Sequence, residues 1–540
     1  MSALWPRGWR AQGGNSVPEL CAREWDILVI GGGITGAGIL LEASRRGLRA
    51  LLVEQRDFAW GTSSRSSKLV HGGLRYLAQG HLALTREAVR EREALLRDAP
   101  GLVEPQGFAF ADYGASKRKR RTMLAGLALY DLFAGRREAH WLAADEFALR
   151  APNAAREGLA GGIVYTDAKT DDARLVLRTL AEARRHGGQA LNYVCAQALL
   201  ANGGRVSGAR LRDLAGKGAE YEASARLVID AGGAWSGMLG MAGQDSGPRL
   251  RPLRGSHLVL PAWRLPLAQA ISLMHPSDGR PVFAFPWEGA TLVGTTDVDH
   301  RDGLEREAAI TRAELDYLML ALQAQFPQLD LEETDVVATC AGVRPVLAGG
   351  EKDAPSKAGR EHAVFSSPGL VRVAGGKMTT FRAIALDVLR AAQQQLPHWR
   401  DGLEPCRIYD PVPLPHTARR LPPSMLRRLA GRYGAQAQAL LDAAQEGELE
   451  AIPGTDTLWA ELRWAARAEG VEHLDDLLLR RTRIGLLLRG GGEAHLARIR
   501  TICQPELGWP DARWDDELDT FRFSWKTHYS LPAKAAEARA

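Results

Sequence analysis

The stretch WDILVIGGGITGAGILLEASRRGLRALLVE, Trp25 to Glu54, constrains this chain more than any other part of it. An apolar run from Ile27 to Ile30 stops at glycines, and Gly31, Gly33 and Gly36 fall at G-x-G-x-x-G spacing. A helix-like stretch, Ala37 to Arg46, follows. A second apolar run then ends in Glu54, about the distance downstream at which an acidic residue meets a ribose. Gly31 allows the tight turn, Gly33 lets backbone approach a pyrophosphate, and Gly36 lets helix pack on strand. The helix N-terminus offers unpaired N–H groups and a partial positive charge to phosphates. The plainer alternative is an ordinary βαβ unit, since the chain holds 57 glycines. It is the strand–turn–helix–strand–Glu order that argues for a bound dinucleotide, FAD or NAD.

At 540 residues the chain has room for more than one domain and a large core. A net charge of +5 makes no case for nucleic acid. The five cysteines lie far apart with no C-x-x-C pair, which argues against disulfides, iron–sulfur clusters and zinc, leaves no metal site, and fits a reducing cytoplasm. No apolar stretch reaches the about 18 residues of a membrane-spanning helix.

The pattern predicts a flexible leader over 1–24 and a discontinuous nucleotide domain within 25–400, formed by about 25–110, 155–245 and 335–400. Short strands and turns such as HLVL, PVFAF and ATLVGTT predict an inserted antiparallel-sheet substrate domain over about 246–334. After Pro411-Val412-Pro413 the chain turns to Ala, Leu and Arg in helical periodicity, predicting a separate helical domain over 401–540. Its arginine pairs, Arg419-Arg420, Arg427-Arg428 and Arg480-Arg481, read as solvated helix faces, with a homodimer contact as the other reading.

TSSRSSKLVHGGLRYL (Thr62 to Leu77), LRGSHLVLP (253–261), VGTTDVDH (293–300), AGVRP (341–345) and AGGKMTTFR (374–382) occur in that order. Together they resemble the FAD-dependent glycerol-3-phosphate dehydrogenases, single-chain bacterial type, within the D-amino-acid oxidase-like fold family. The resemblance implies an α/β (α+β overall) architecture: a Rossmann-like FAD-binding domain with an inserted antiparallel substrate domain, plus a helical C-terminal domain. It implies oxidation of sn-glycerol 3-phosphate to dihydroxyacetone phosphate by hydride transfer to flavin, with electrons passed to a membrane quinone. The same fold also serves glycerol-3-phosphate oxidases that use oxygen and amine or amino-acid oxidases. A catalytically silent protein using only its basic run is the reading from another class.

A small phosphate ester wants fixed cations, and Arg75, Arg344, Arg360 and Lys377 stand at the family-matched positions. His257 is the leading base, since histidine accepts a proton near neutral pH, although a structural histidine on an apolar strand is the plain alternative. His71 competes for that role, and Tyr76 could hydrogen-bond the substrate. Thr62, Ser63, Ser64 and Ser67 resemble the hydroxyl-rich loop near the FAD, where the alternative is a plain polar loop. Gly376, Lys377, Met378 and Thr379 resemble the turn beneath the flavin, and Val194 is placed near adenine. Two departures from the pattern are Ala231-Gly232-Gly233, where Ala-Thr-Gly is frequent, and Phe381, where tyrosine is common.

Lys117 to Arg121 is a run of five cations before TMLAGLALYDLFAG and then Arg136-Arg137. As a helix the apolar part would measure about 21 Å, too short to cross about 30 Å of hydrocarbon. It suits a helix lying in the bilayer interface. A buried helix with solvated ends and a nucleic-acid patch are the alternatives. The resemblance favours the membrane over nucleic acid, with the 117–137 segment as the foothold of a cytoplasmic enzyme peripheral on the inner membrane.

Overall fold

The computed structural model describes residues 16–78, 80–114, 117–216, 218–239, 250–347, 362–417 and 421–533. In the first of two large sheets, Trp25–Ile30 is flanked in parallel by Glu220–Asp230 and Ala50–Val53. Leu370–Gly375 and Gln189–Leu191 extend it in parallel on either side. The central strand is buried on both faces: Ile27 and Val29 join one core, Leu28 and Ile30 another. A strand so placed reads as an unbroken apolar run, and burying each such side chain contributes roughly 1.5–3 kcal/mol. The helices Ile34–Ser44, Asp172–Arg185 and Phe381–Gln393 cover one face. An antiparallel meander, Val194–Asn202 and Arg205–Asp213 running into Glu220–Asp230, covers the other.

The second sheet is almost wholly antiparallel. Leu250–Pro261 lies between Ala290–Gly294 and Ala338–Leu347, and Ala270–Met274 pairs in parallel with Val103–Asp112. This sheet draws on more chain than the expected 246–334. Leu69–Val70, Val103–Asp112, His140–Ala143, Gly161–Thr170 and Ala338–Leu347 all belong to it. Their pairing is set by packing between distant segments, which local periodicity does not encode.

Three expectations need correction. Part of the predicted leader is ordered: Val17–Cys21 is a helix capped by Ser16 and Glu19, and Val17, Leu20 and Cys21 are buried in the core beneath Trp25. The C-terminal helices are not separate, because Trp459, Leu462, Leu477 and Trp514 share one core with Val259, Trp287 and Cys340 of the second sheet. Nor are its arginines all solvated. Arg480 and Arg481 are buried on Asp57, in the loop that follows Ala50–Val53 of the first sheet, and Arg428 pairs with Glu461 and Glu288. Local helical periodicity could not show these carboxylate partners. Arg427 is exposed, whereas Arg419 and Arg420 lie outside the described residues.

The basic segment is a helix, Lys117–Ala134. Leu127, Tyr130 and Asp131 face the protein, while Arg118, Arg121, Ala125, Ala128 and Leu132 form an exposed stripe at i, i+3, i+7, i+10 and i+14. Among the described residues no helix is long and apolar enough to cross a membrane.

Candidate active site

A cleft of about 560 Å³ runs along the carboxyl ends of the first sheet's strands and reaches the second sheet. Gly31 turns at φ +115°, and a Cβ there would come within 2.5 Å of the Ala231 carbonyl oxygen. Gly33 precedes the helix Ile34–Ser44, whose first N–H donates to Ser63 Oγ at 3.0 Å. Glu54 accepts from the Gly32 N–H at 2.7 Å and from the Arg56 N–H at 2.8 Å. Burial pushes its carboxyl up, against the pull of those two N–H groups. Gly31, Gly33, Glu54 and Val194 all line this end of the cleft. Gly36 does not line it. A Cβ there would fall 1.9 Å from the Gly31 carbonyl oxygen, so its bareness serves the helix–turn contact.

Thr62, Ser63 and Ser67 line the middle, and Arg344 with Gly376 to Thr379 line the far end, together with His71. The turn into the helix Phe381–Gln393 is made by two successive glycines in the left-handed region, Gly375 at φ +76° and Gly376 at φ +90°. They bring Lys377 to the wall, with Nζ 4.5 Å from the centre of the Tyr76 ring. Thr379 Oγ1 accepts from the His71 N–H at 3.3 Å. Arg344 donates from Nη1 to Asp297 at 3.1 Å and from Nη2 to Thr295 Oγ1 at 3.0 Å.

Several expected residues stand behind the wall. Tyr76 is buried under Lys377. Ser64 is buried, its hydroxyl bonded to the Trp60 carbonyl. His257 is buried too, with Nε2 3.0 Å from the Oγ of Ser67, and so reaches the cleft only through that hydroxyl. Burial, then the Lys68 ammonium and the Arg344 guanidinium, hold its pKa well below the usual histidine value, so the ring is neutral at pH 7. Arg75 lies in the helix Leu74–Ala78, but its side chain is outside the described residues, as is all of Arg360.

The sequence reading missed three groups. Trp60 and Trp235, with ring centres 5.8 Å apart, line the cleft. Arg65 lines it as well, tied to Glu307 and, at 3.0 Å, to the hydroxyl of Tyr529 near the chain's end. Lys68 is wholly buried, its Nζ 3.0 Å from Asp172 Oδ1 and 3.0 Å from the Ser64 carbonyl. Arg483 joins the same carboxylate at 2.9 Å and the same carbonyl at 2.7 Å. A signal existed: two cations inside a run of serines, and paired aspartates at 171–172, are charges that need partners once the surrounding loop is buried.

A glycine-turned dinucleotide cleft in the first sheet, walled by a second, antiparallel sheet bearing cations, defines a flavin-type oxidoreductase. Residues 26–386 match the family of FAD dependent oxidoreductases, and residues 373–514 match the C-terminal domain of alpha-glycerophosphate oxidase. Glycerol-3-phosphate dehydrogenase 2 of Mycobacterium bovis is 35% identical over 93% of this chain and 88% of its own. Aerobic glycerol-3-phosphate dehydrogenase of Staphylococcus haemolyticus is 32% identical over 85% of this chain and 86% of its own. The crystal structure of the Bacillus halodurans glycerol-3-phosphate dehydrogenase complexed with FAD superposes with a TM-score of 0.71 at 28% identity, covering 95% of both chains. The chain belongs to the family of FAD-dependent glycerol-3-phosphate dehydrogenases.

Proposed function

We propose that this protein oxidises sn-glycerol 3-phosphate to dihydroxyacetone phosphate with FAD held in the cleft, and passes the electrons to a membrane quinone. The observation that carries the reading is the placement of Arg344 and Lys377 on the same cleft as the Gly31–Gly33 turn. The residues present fit the cofactor: the bare backbone of Gly31 and Gly33 lines the cleft, and the helix start beside Gly33 suits a pyrophosphate. Gly31, Gly33, Glu54 and Val194 would hold its nucleotide half, and Thr62, Ser63 and Gly376 to Thr379 its reactive half. When bound, FAD supplies the two-electron acceptor that no side chain can provide.

The protein's part is position and proton handling. Arg344 and Lys377 take the phosphate, arginine's planar fork matching its oxygens. Ser67 Oγ accepts the C2 hydroxyl proton while handing its own to the neutral imidazole of His257 at Nε2. Tyr76 backs the ammonium of Lys377.

The exposed stripe of the helix Lys117–Ala134, basic at one end and apolar at the other, supports lying on an anionic membrane surface. Exchanging Arg118 and Arg121 for glutamate should abolish binding to anionic vesicles, and retained binding would remove this foothold. Oxygen is the competing acceptor, favoured by the match of residues 373–514 to an oxidase domain.

One experiment tests substrate and acceptor together. Anaerobic sn-glycerol 3-phosphate should bleach the flavin band of the purified protein, and a soluble quinone should restore it faster than air does. A band that persists with this substrate but bleaches with amino acids defeats the proposal. Faster recovery in air moves the acceptor to oxygen.

A further inference from the structure

Arg344 leaves the strand Ala338–Leu347 opposite Leu253. Two residues along, Gly255 faces Gly342, and a Cβ on Gly255 would come within 2.3 Å of Arg344 Nη2 and 2.7 Å of Thr295 Oγ1. The bare backbone at Gly255 therefore opens the slot in which guanidinium and threonine hydroxyl meet. The segment Thr295-Thr296-Asp297 alternates like a strand. Thr295 and Asp297 bond Arg344, whereas Thr296 bonds the other way, accepting from the Ser256 N–H at 2.9 Å and donating to Glu314 at 2.7 Å.

Glu314 is itself over-determined. It accepts from the N–H and the hydroxyl of Thr311 at 3.0 and 2.8 Å, from Ser256 Oγ at 2.9 Å, and pairs with Arg254 at 2.9 Å. A buried carboxylate with so many donors cannot shift cheaply, so it pins Thr296 and, with it, the residues on either side. Asp297, 3% exposed, thus sits between two guanidiniums, with Arg280 Nη2 3.6 Å from its second oxygen. Without its charge the two arginines would repel each other across a space largely shielded from water.

We propose that Asp297 and Thr295 are positioning residues that set the preference for a phosphorylated substrate, by holding Arg344 at the cleft wall before substrate arrives. Neither touches the phosphate; both act through Arg344. A guanidinium fixed in advance loses little freedom on binding, whereas an untethered one must be ordered by the substrate itself. The inference rests on the reading of Arg344 as a phosphate ligand given above.

The test uses the flavin-loaded enzyme and two near-isosteric variants, Asp297→Asn and Thr295→Val. For Asp297→Asn, KM for sn-glycerol 3-phosphate should rise roughly tenfold and the competitive inhibition constant of inorganic phosphate by a similar factor, with kcat changed less than about twofold. Thr295→Val should move both constants in the same direction by roughly threefold. Flavin content should match the wild type. Constants within about twofold of wild type in a variant that keeps its flavin overturn the clamp. So does a loss confined to kcat, which is the mark of a general structural disturbance. Should one variant fail to retain flavin, the other decides. A wild-type enzyme that does not oxidise sn-glycerol 3-phosphate would instead bring down the functional reading itself, an outcome separable from failure of the clamp alone.

Discussion

At the dinucleotide end of the cleft, the stretch from Trp25 to Glu54 shapes the wall through its backbone: a turn at Gly31, a helix start, and two N–H groups on one carboxylate. At the far end the wall is assembled from Ser67, Arg344 and Lys377, which lie on separate segments of the chain. Its second layer is ionic. Asp172 gathers Lys68, Ser66 and Arg483; Glu307 gathers Arg65 and Tyr529; Asp297 gathers Arg344 and Arg280. Where a cofactor phosphate is to be approached by main chain, absence of side chains does the shaping. Where a small charged substrate is to be held, buried charges must be placed, and each brings a partner from elsewhere in the fold.

The sharpest way to break this contrast is at Gly36. Gly36→Ala should yield a protein without flavin, because its Cβ would overlap the Gly31 carbonyl at 1.9 Å and push the turn out of shape. Absorbance of the purified variant in the visible range reads this directly, and a normal flavin content would show that backbone packing does not govern that end. The counterpart at the ionic end is Arg483→Met. It leaves Asp172 and the Ser64 carbonyl short of a donor in a fully buried place. Destabilisation of roughly 3–5 kcal/mol is expected on chemical unfolding. A difference under about 1 kcal/mol would mean that the network is no firmer than a surface pair.

The same contrast explains what could be read from sequence. The Gly31-to-Glu54 unit was legible because its determinants are contiguous and each glycine has a local reason. The ordered part of the leader was legible in principle: Ser16-Val17-Pro18-Glu19 is a capping box with a proline in the first turn. The fate of Arg481 was not, since its partner Asp57 is 424 residues away. Likewise Val103–Asp112 joins the second sheet beside Ala270–Met274, a pairing settled only when the whole layer packs. For His257 the strand was foreseeable, but its retreat behind Ser67 depends on the room left by Gly294, where a Cβ would fall 2.2 Å from the imidazole ring.

Acid offers a gentler probe of the ionic layer. Asp57 is buried, which alone would push its carboxyl up, but Arg481 and Arg480 outweigh burial and hold it down to about 2. A carboxyl depressed in the folded state contributes stability that is complete above the unfolded value of about 3.9 and is lost as pH falls towards the folded value. Wild-type unfolding free energy should therefore drop between pH 5 and pH 3, and Asp57 should account for part of that slope. In Asp57→Asn the two arginines are left uncompensated, so the variant begins less stable at pH 7. Having no proton to gain at this site, it should then lose less on going to pH 3. The expected difference in the pH-dependent loss is on the order of 1 kcal/mol, since at pH 3 only part of the shift has been titrated. Urea unfolding of both proteins at pH 5 and pH 3 measures it. Parallel losses would show that Asp57 does not anchor the helical region to the nucleotide sheet through charge. The layer's firmness would then have to come from the shared apolar core of Trp287, Trp459 and Leu477.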